Sequence, residues 1–296
     1  MSKNPAVPRA AALVALTVLA TTSALSADEP KSACQQCLAW NQPQKPFRVY
    51  GNTYYVGVHG LSSILITSDK GHVLIDGALP ESAAAIQANI KALGFRVADV
   101  KLILNSHDHF DHAGGIAELQ KASGAPVAAL ALSAKVLEQG FSDPDDPQFG
   151  SVGPIPKVKA VRVVKDGETV RVGELALTAH ATPGHTPGST TWTWKSCEQS
   201  RCLNIVYADS VMPVAADGFK FSRNTGYPHV VADFEKSFAT IAALPCDVLI
   251  TPHPDISDLF ARMEKPDALV DTTGCKRYAE MGKKRLAKRL AEEGAQ

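Results

Sequence analysis

Neither sign of charge prevails in this chain: 30 lysines and arginines stand against 30 aspartates and glutamates, a formal net charge of zero. So balanced a total lacks the basic surplus that draws proteins to nucleic acid or to anionic membrane surfaces, and neither is expected as a partner. Long apolar runs are missing too. The run Ala10–Ala20 stops well short of the roughly 20 residues that cross a bilayer, so no membrane span is expected. No motif repeats along the chain, and the CxxC at Cys34 and Cys37 has no second pair at zinc-ribbon spacing. That excludes a solenoid and a ribbon-type zinc module.

What is present begins with an export signal. Lys3 and Arg9 precede the short apolar run, and small residues follow it from Ala24 to Ala27. This order suits a signal peptide over residues 1–27, with a mature chain from about Asp28 and a periplasmic or secreted destination. Residues 28–296 are then expected to form a single domain, since 296 residues in all suffice for one large α/β core. Six cysteines fit an oxidising compartment. Cys197 and Cys202 flank the polar loop EQSR and could bridge that hairpin, and Cys246 could reach Cys275. Cys34 and Cys37 are read as a local disulfide or an unpaired couple, with no catalytic role.

Strand-like runs joined by tight turns open the mature chain: Thr53–Val58, Ser63–Thr67 and His72–Ile75. A helical segment from Pro80 to Leu93 follows, stopped by Gly94, and then the strand Val100–Leu104, apolar except for Lys101. Helix is expected over Ala113–Ala122 and Leu132–Gln139, with strand at Pro126–Leu130. The proline-rich stretch Phe141–Lys159 has no period and reads as a loop, either a flap beside a site or a surface insertion. Five further strands (Ala160–Val164, Thr169–Val172, Leu175–His180, Thr190–Lys195, Leu203–Ala208) precede an amphipathic helix at Ala232–Leu244. That helix places Phe234, Phe238, Ile241 and Leu244 on one face. Strand Val248–Thr251 and a helix from Asp267 to the end complete the order. Strands followed by helices occur twice, the pattern of two sheets packed face to face with helices outside. The basic run Lys283–Arg289 reads as the solvated face of the last helix.

The chemistry concentrates in NSHDHFDHAGG, Asn105–Gly115. His107, His109, Asp111 and His112 fall within six residues directly after an apolar strand. Offsets of i, i+2, i+4 and i+5 fit neither face of a strand nor one side of a helix. They suit a loop that leaves a strand and enters a helix at Gly114–Gly115. Imidazole and carboxylate are ligands that zinc favours, and so dense a set can serve two ions. Two more histidines lie in proline-bounded loops after apolar strands: His185 in TPGHTPGS and His253 in TPHPD. Five histidines and one aspartate are enough for two three-ligand sites that each leave room for water.

In this combination, HxHxDH with GG, PGHTPGS and TPHP resemble the metallo-β-lactamase superfamily, across essentially the whole mature chain. YADS at Tyr207–Ser210 and LPCDVLITPHP are similar to class B β-lactamases of the third subclass. The resemblance implies an α/β fold, an αββα sandwich of two mixed β-sheets with helices on the outer faces and the site at one edge. It implies two Zn2+ ions, one held by His107, His109 and His185, the other by Asp111, His112 and His253. It also implies a hydroxide bridging them, from a water whose pKa falls toward roughly 7, that attacks the β-lactam amide. Asp111 would ligate and orient, and so count as catalytic. Ser210 stands where the first subclass has a metal-binding cysteine. The implied function is a monomeric β-lactamase acting on penicillins, cephalosporins and carbapenems and conferring antibiotic resistance. The alternative is a thioesterase or lactonase of the same fold, which would use Asp209 as a bridge between metals.

Some members carry a cysteine near the position of His59 and a serine at that of Met212. Contact with a small β-lactam substrate is therefore assigned to Ser210, Gln148 and Trp40. His59, His72, His180 and His229 are expected outside the site.

Overall fold

A computed structural model describes residues 1–2, 34, 36–265 and 269–294. The expected signal peptide and its cleavage point lie outside the described residues. A single turn, α1 (Cys37–Trp40), precedes a seven-stranded sheet whose strands follow chain order. These are β1 (Phe47–Tyr50), β2 (Thr53–Tyr55), β3 (Ile64–Ile66), β4 (His72–Ile75), β5 (Val100–Leu104), β6 (Val127–Leu130) and β7 (Arg162–Val164). The first four are antiparallel neighbours joined by turns. From β4 to β7 the pairing is parallel. Parallel neighbours need crossovers, and three of the segments that supply them are helical: α2 (Ala83–Ala92), α4 (Ile116–Ser123) after a short α3 (Phe110–Ala113), and α5 (Ala131–Gln139).

The second sheet has five strands in the order β12-β11-β10-β9-β8. β8 (Thr169–Val172), β9 (Leu175–Ala181), β10 (Thr190–Glu198) and β11 (Arg201–Tyr207) form an antiparallel meander. α6 (Val230–Ala243) then crosses to β12 (Val248–Ile250), which pairs parallel to β11. α7 (Leu259–Met263) and α8 (Gly274–Gly294) end the chain.

Three apolar layers separate four structural ones. Leu65, Leu74 and Ile103 pack with Ile86 and Ile90 of α2 and Leu119 of α4. Their strand neighbours Ile64, Ile75 and Leu104 face the other way, onto Leu177, Trp192 and Ile205 of the second sheet. Behind that sheet, Val206 and Leu249 meet Phe234, Phe238 and Ile241 of α6 and Leu286 of α8. Both faces of the central strands are buried, so apart from His72 and the exposed Lys101 at their starts these strands are apolar in sequence rather than alternating. The architecture is the αββα sandwich of two mixed sheets that the sequence led us to expect.

The strands agree with expectation to within a few residues, except that β1 precedes the first run expected. The entry to the helix after the histidine cluster does not agree. It was expected at Gly114–Gly115, but α3 already starts at Phe110, so Asp111 and His112 sit inside a helical turn. His109 is extended (φ −69°, ψ 152°) and its carbonyl accepts hydrogen bonds from the amides of His112 and Ala113. A cap of that shape needs no glycine. α1 and α7 were not anticipated, and α8 begins at Gly274 rather than Asp267 because Asp271 folds the preceding residues into a turn by accepting from the Thr273 amide and hydroxyl.

All six cysteines are paired: Cys34–Cys37, Cys197–Cys202 and Cys246–Cys275. Cys197 and Cys202 are directly opposed across β10 and β11. Lys283, Lys284, Arg285 and Lys288 are exposed, as a solvated helix face requires. No helix among the described residues is long and apolar enough to cross a membrane.

Candidate metal centre

β5, β9, β11 and β12 deliver their following loops to one edge of the sandwich, and backbone contacts fasten those loops together. The Thr190 amide donates to the Ser106 carbonyl at 2.7 Å, and Trp192 Nε1 donates to the Asn105 carbonyl at 2.9 Å. From the first sheet, the Ser62 amide and hydroxyl each donate at 2.8 Å to the carbonyls of Pro252 and Thr251 beside His253. The loop bearing His185 is seated just as closely. Gly184 has φ +136°, and a Cβ there would lie 2.7 Å from the ring of Phe234. Only glycine allows both the conformation and the approach.

The loops bring His107, His109 and His185 together, with ring centroids 4.8 to 4.9 Å apart. One ligand atom from each lies within 4.8 Å of the others, close enough to share one ion. Asp111 and His112 adjoin them: Asp111 Oδ2 is 3.3 Å from His112 Nε2 and 3.4 Å from His253 Nε2. These three could hold a second ion. Gln148 Nε2 stands 3.4 Å from His109 Nδ1, the Trp40 ring lies 5.0 Å from that of His253, and buried Ser210 follows Asp209. None of His59, His72, His180 or His229 reaches the centre. His59 stacks on Phe260, His72 accepts from the Ser68 amide, and His180 pairs with Thr193. His229 caps α6. A cleft of about 1010 Å³ between the β3–β4 and β8–β9 turns lies at the opposite end of the strands and contains no member of the centre.

Four of the five rings, all but that of His112, are held from behind. His107 Nδ1 donates to Asp209 Oδ1 at 2.7 Å, and His109 Nε2 donates to Asp146 Oδ2 at 3.0 Å. His185 Nδ1 donates to the Met212 carbonyl at 2.8 Å, and His253 Nδ1 to the Gly60 carbonyl at 3.1 Å. Such partners fix the tautomer and aim the second nitrogen forward. Burial then keeps His107 neutral, its pKa pushed down to about 4 despite Asp209. Burial and the neighbouring histidines take His185 down to about 3. Burial opposes charge on His109 as well, but Asp146, Asp108 and Asp111 outweigh it and raise the ring to about 9. A bound cation would take the place of that proton.

The decisive sign of fit is an unpaired atom. His107 Nε2 is buried and has no hydrogen-bond partner among the described residues, and neither has His112 Nδ1. Buried nitrogens left so are rare in folded chains and demand an explanation. A cation would supply it for His107, whose ring stands 4.9 Å from that of His109 and 4.8 Å from that of His185.

With the geometry in view, comparison with known proteins is direct. The description "Metallo-beta-lactamase superfamily" matches residues 56–197. The solved Rm3 metallo-β-lactamase is 54% identical, with a TM-score of 0.87 over 89% of this chain and 100% of that one. The chain belongs to the metallo-β-lactamase superfamily. MEM-A1, a subclass B3 metallo-β-lactamase from a soil metagenome library, is 51% identical, with a TM-score of 0.85 over 86% of this chain and 99% of that one. More distantly, a hydroxyacylglutathione hydrolase of Methylobacterium nodulans is 35% identical over 107 residues, 36% of this chain and 32% of that protein. The chain also spans 60% of a Bacillus subtilis protein, YobT, that carries no stated activity, at 33% identity.

For this superfamily member, sequence reasoning had not named Asp146, Asp209 or the Gly60 and Met212 carbonyls as ring partners. One signal for the aspartates was available, since a ligating imidazole usually donates its other N–H to a carboxylate or carbonyl. Asp209 is expected to act on the metal through His107. In Asp209→Ala, competition with a chromophoric chelator should show affinity for the ion at His107 falling about 10- to 100-fold. Outright loss of an ion would instead make Asp209 a ligand.

Proposed function

We propose that the chain is a zinc-dependent β-lactamase that opens the amide of penicillins, cephalosporins and carbapenems, binding two Zn2+. The observation that carries this reading is 54% identity over the full length of the Rm3 metallo-β-lactamase. His107, His109 and His185 hold one ion, and Asp111, His112 and His253 the other. When bound, zinc polarises a carbonyl and lowers the pKa of coordinated water toward roughly 7, so that no serine nucleophile is required.

The protein's own residues then divide the remaining tasks. Burial holds His107 and His185 as neutral donors, a bound cation would displace the proton that Asp146 favours on His109, and Asp111 stays ionised, its pKa held well below the carboxylate range by His112 and His253 in spite of burial. Asp111 orients the attacking oxygen. Gln148 beside the first group, Trp40 beside the second and Ser210 at the floor contact the substrate. Three disulfides suit an oxidising compartment, so residues 1–27 act as an export signal and residues 28–296 work as a monomeric domain in the periplasm, conferring antibiotic resistance.

Likeness to hydroxyacylglutathione hydrolases favours a second reading, a thioesterase or lactonase. Against it, Asp209 Oδ1 is engaged by His107 Nδ1 at 2.7 Å, so this carboxylate supports the ring opposite its unpaired Nε2. Zinc-loaded protein should open a chromogenic cephalosporin in a chelator-sensitive way and leave S-lactoylglutathione and acyl-homoserine lactones intact. The reverse preference would install the second reading.

A further inference from the structure

We propose that α1, stapled by the Cys34–Cys37 disulfide, positions His253 and so sets the affinity for the second ion without contributing a ligand to it. The inference rests on the two-ion reading above. α1 is one turn of four residues with no side-chain cap at Gln36, and a helix so short does not hold its shape unaided. Three contacts hold it here. The disulfide closes its start, Cys37 is buried in the layer beneath the first sheet, and at its end Asn41 Oδ1 accepts from Ser82 Oγ at 2.6 Å.

Thus anchored, α1 grips the β2–β3 loop. The His59 amide donates to the Gln42 carbonyl at 2.9 Å and the Gly60 amide to the Trp40 carbonyl at 2.8 Å. Gly60 is pressed so close that a Cβ on it would lie 2.5 Å from Trp40 Cδ1 and 2.7 Å from Trp40 Cα. From its other side, the Gly60 carbonyl takes the Nδ1 proton of His253, and the Trp40 ring packs on the same imidazole. The contacts form one series from disulfide to ligand. His253 is also the ligand most in need of support, its side chain 26% exposed against 1% for His112 and 10% for Asp111. Pro252 and Pro254 fix its backbone but not its ring.

The test compares zinc affinity, by chelator competition, in wild type, C34S/C37S and G60A, which disturb the brace from opposite ends. Each variant should hold the second ion about tenfold more weakly or worse, with the first changed by less than about twofold. Because this disulfide spans a separation of 3 residues, against 29 for Cys246–Cys275, its loss should lower the melting temperature of the metal-free chain by only about half as much as loss of the longer one. Trp40→Phe should keep most of the affinity that Trp40→Ala loses. Wild-type affinity in C34S/C37S, or equal weakening of both ions, overturns the inference. A wild-type chain that binds a single ion overturns the two-ion reading first and this inference with it.

Discussion

In His112→Ala, β-lactam hydrolysis falls on the order of 10³-fold, about 4 kcal/mol of transition-state stabilisation, while one zinc ion stays bound. The expectation follows from how the donors divide. His107, His109 and His185 form a complete group without His112, whereas Asp111 loses one of the two imidazoles that flank its Oδ2. Two ligands remain where three stood. Metal content and turnover measured on one preparation check both halves of the prediction. Wild-type turnover with a single ion bound would remove the second group from the mechanism.

Asp76→Ala is expected to destabilise the metal-free protein by about 3–5 kcal/mol, although Asp76 touches no ion. Its carboxyl group lies fully buried under the histidine loop and accepts from the Ser106 amide (2.7 Å), Ser106 Oγ (2.6 Å), Asn105 Nδ2 (3.2 Å) and Tyr207 OH (2.8 Å). Burial raises its pKa to about 6 against the pull of His112 and these donors. Alanine would take the acceptor from the buried Ser106 amide and hydroxyl and the nearer acceptor from Tyr207 OH, leaving only Asn105 Nδ2 well paired, on the His107 carbonyl at 2.7 Å. In thermal melts of metal-free protein this corresponds to a fall of about 10 °C or more. A melting temperature within a degree or two of wild type would show that the loop keeps its shape without the hub.

The comparison between these two positions shows what could be read from the sequence. His112 stands in a motif whose density alone points to metal, and the two remote histidines share one legible context, a proline-bounded loop after an apolar strand. The central strands were equally plain, because burial on both faces confines their polar residues to the starts of the strands, at His72 and Lys101. Asp76 gave no such signal. It follows an apolar strand as many turn residues do, and its φ of +61° exists only once the loops have closed around it. Asp146 lies 37 positions from His109 in a segment without period. Gly60 and Met212 act through carbonyls that every residue possesses. What the sequence displays are the donors. What aims them is tertiary.

The most direct measurement is a crystal structure of the zinc-loaded protein with anomalous data collected on both sides of the zinc absorption edge. Two peaks should appear, one among His107, His109 and His185 and one among Asp111, His112 and His253, each at ligand distances of about 2.0–2.2 Å. A single peak, or zinc bound anywhere that leaves His185 or His253 uncoordinated, would contradict the account.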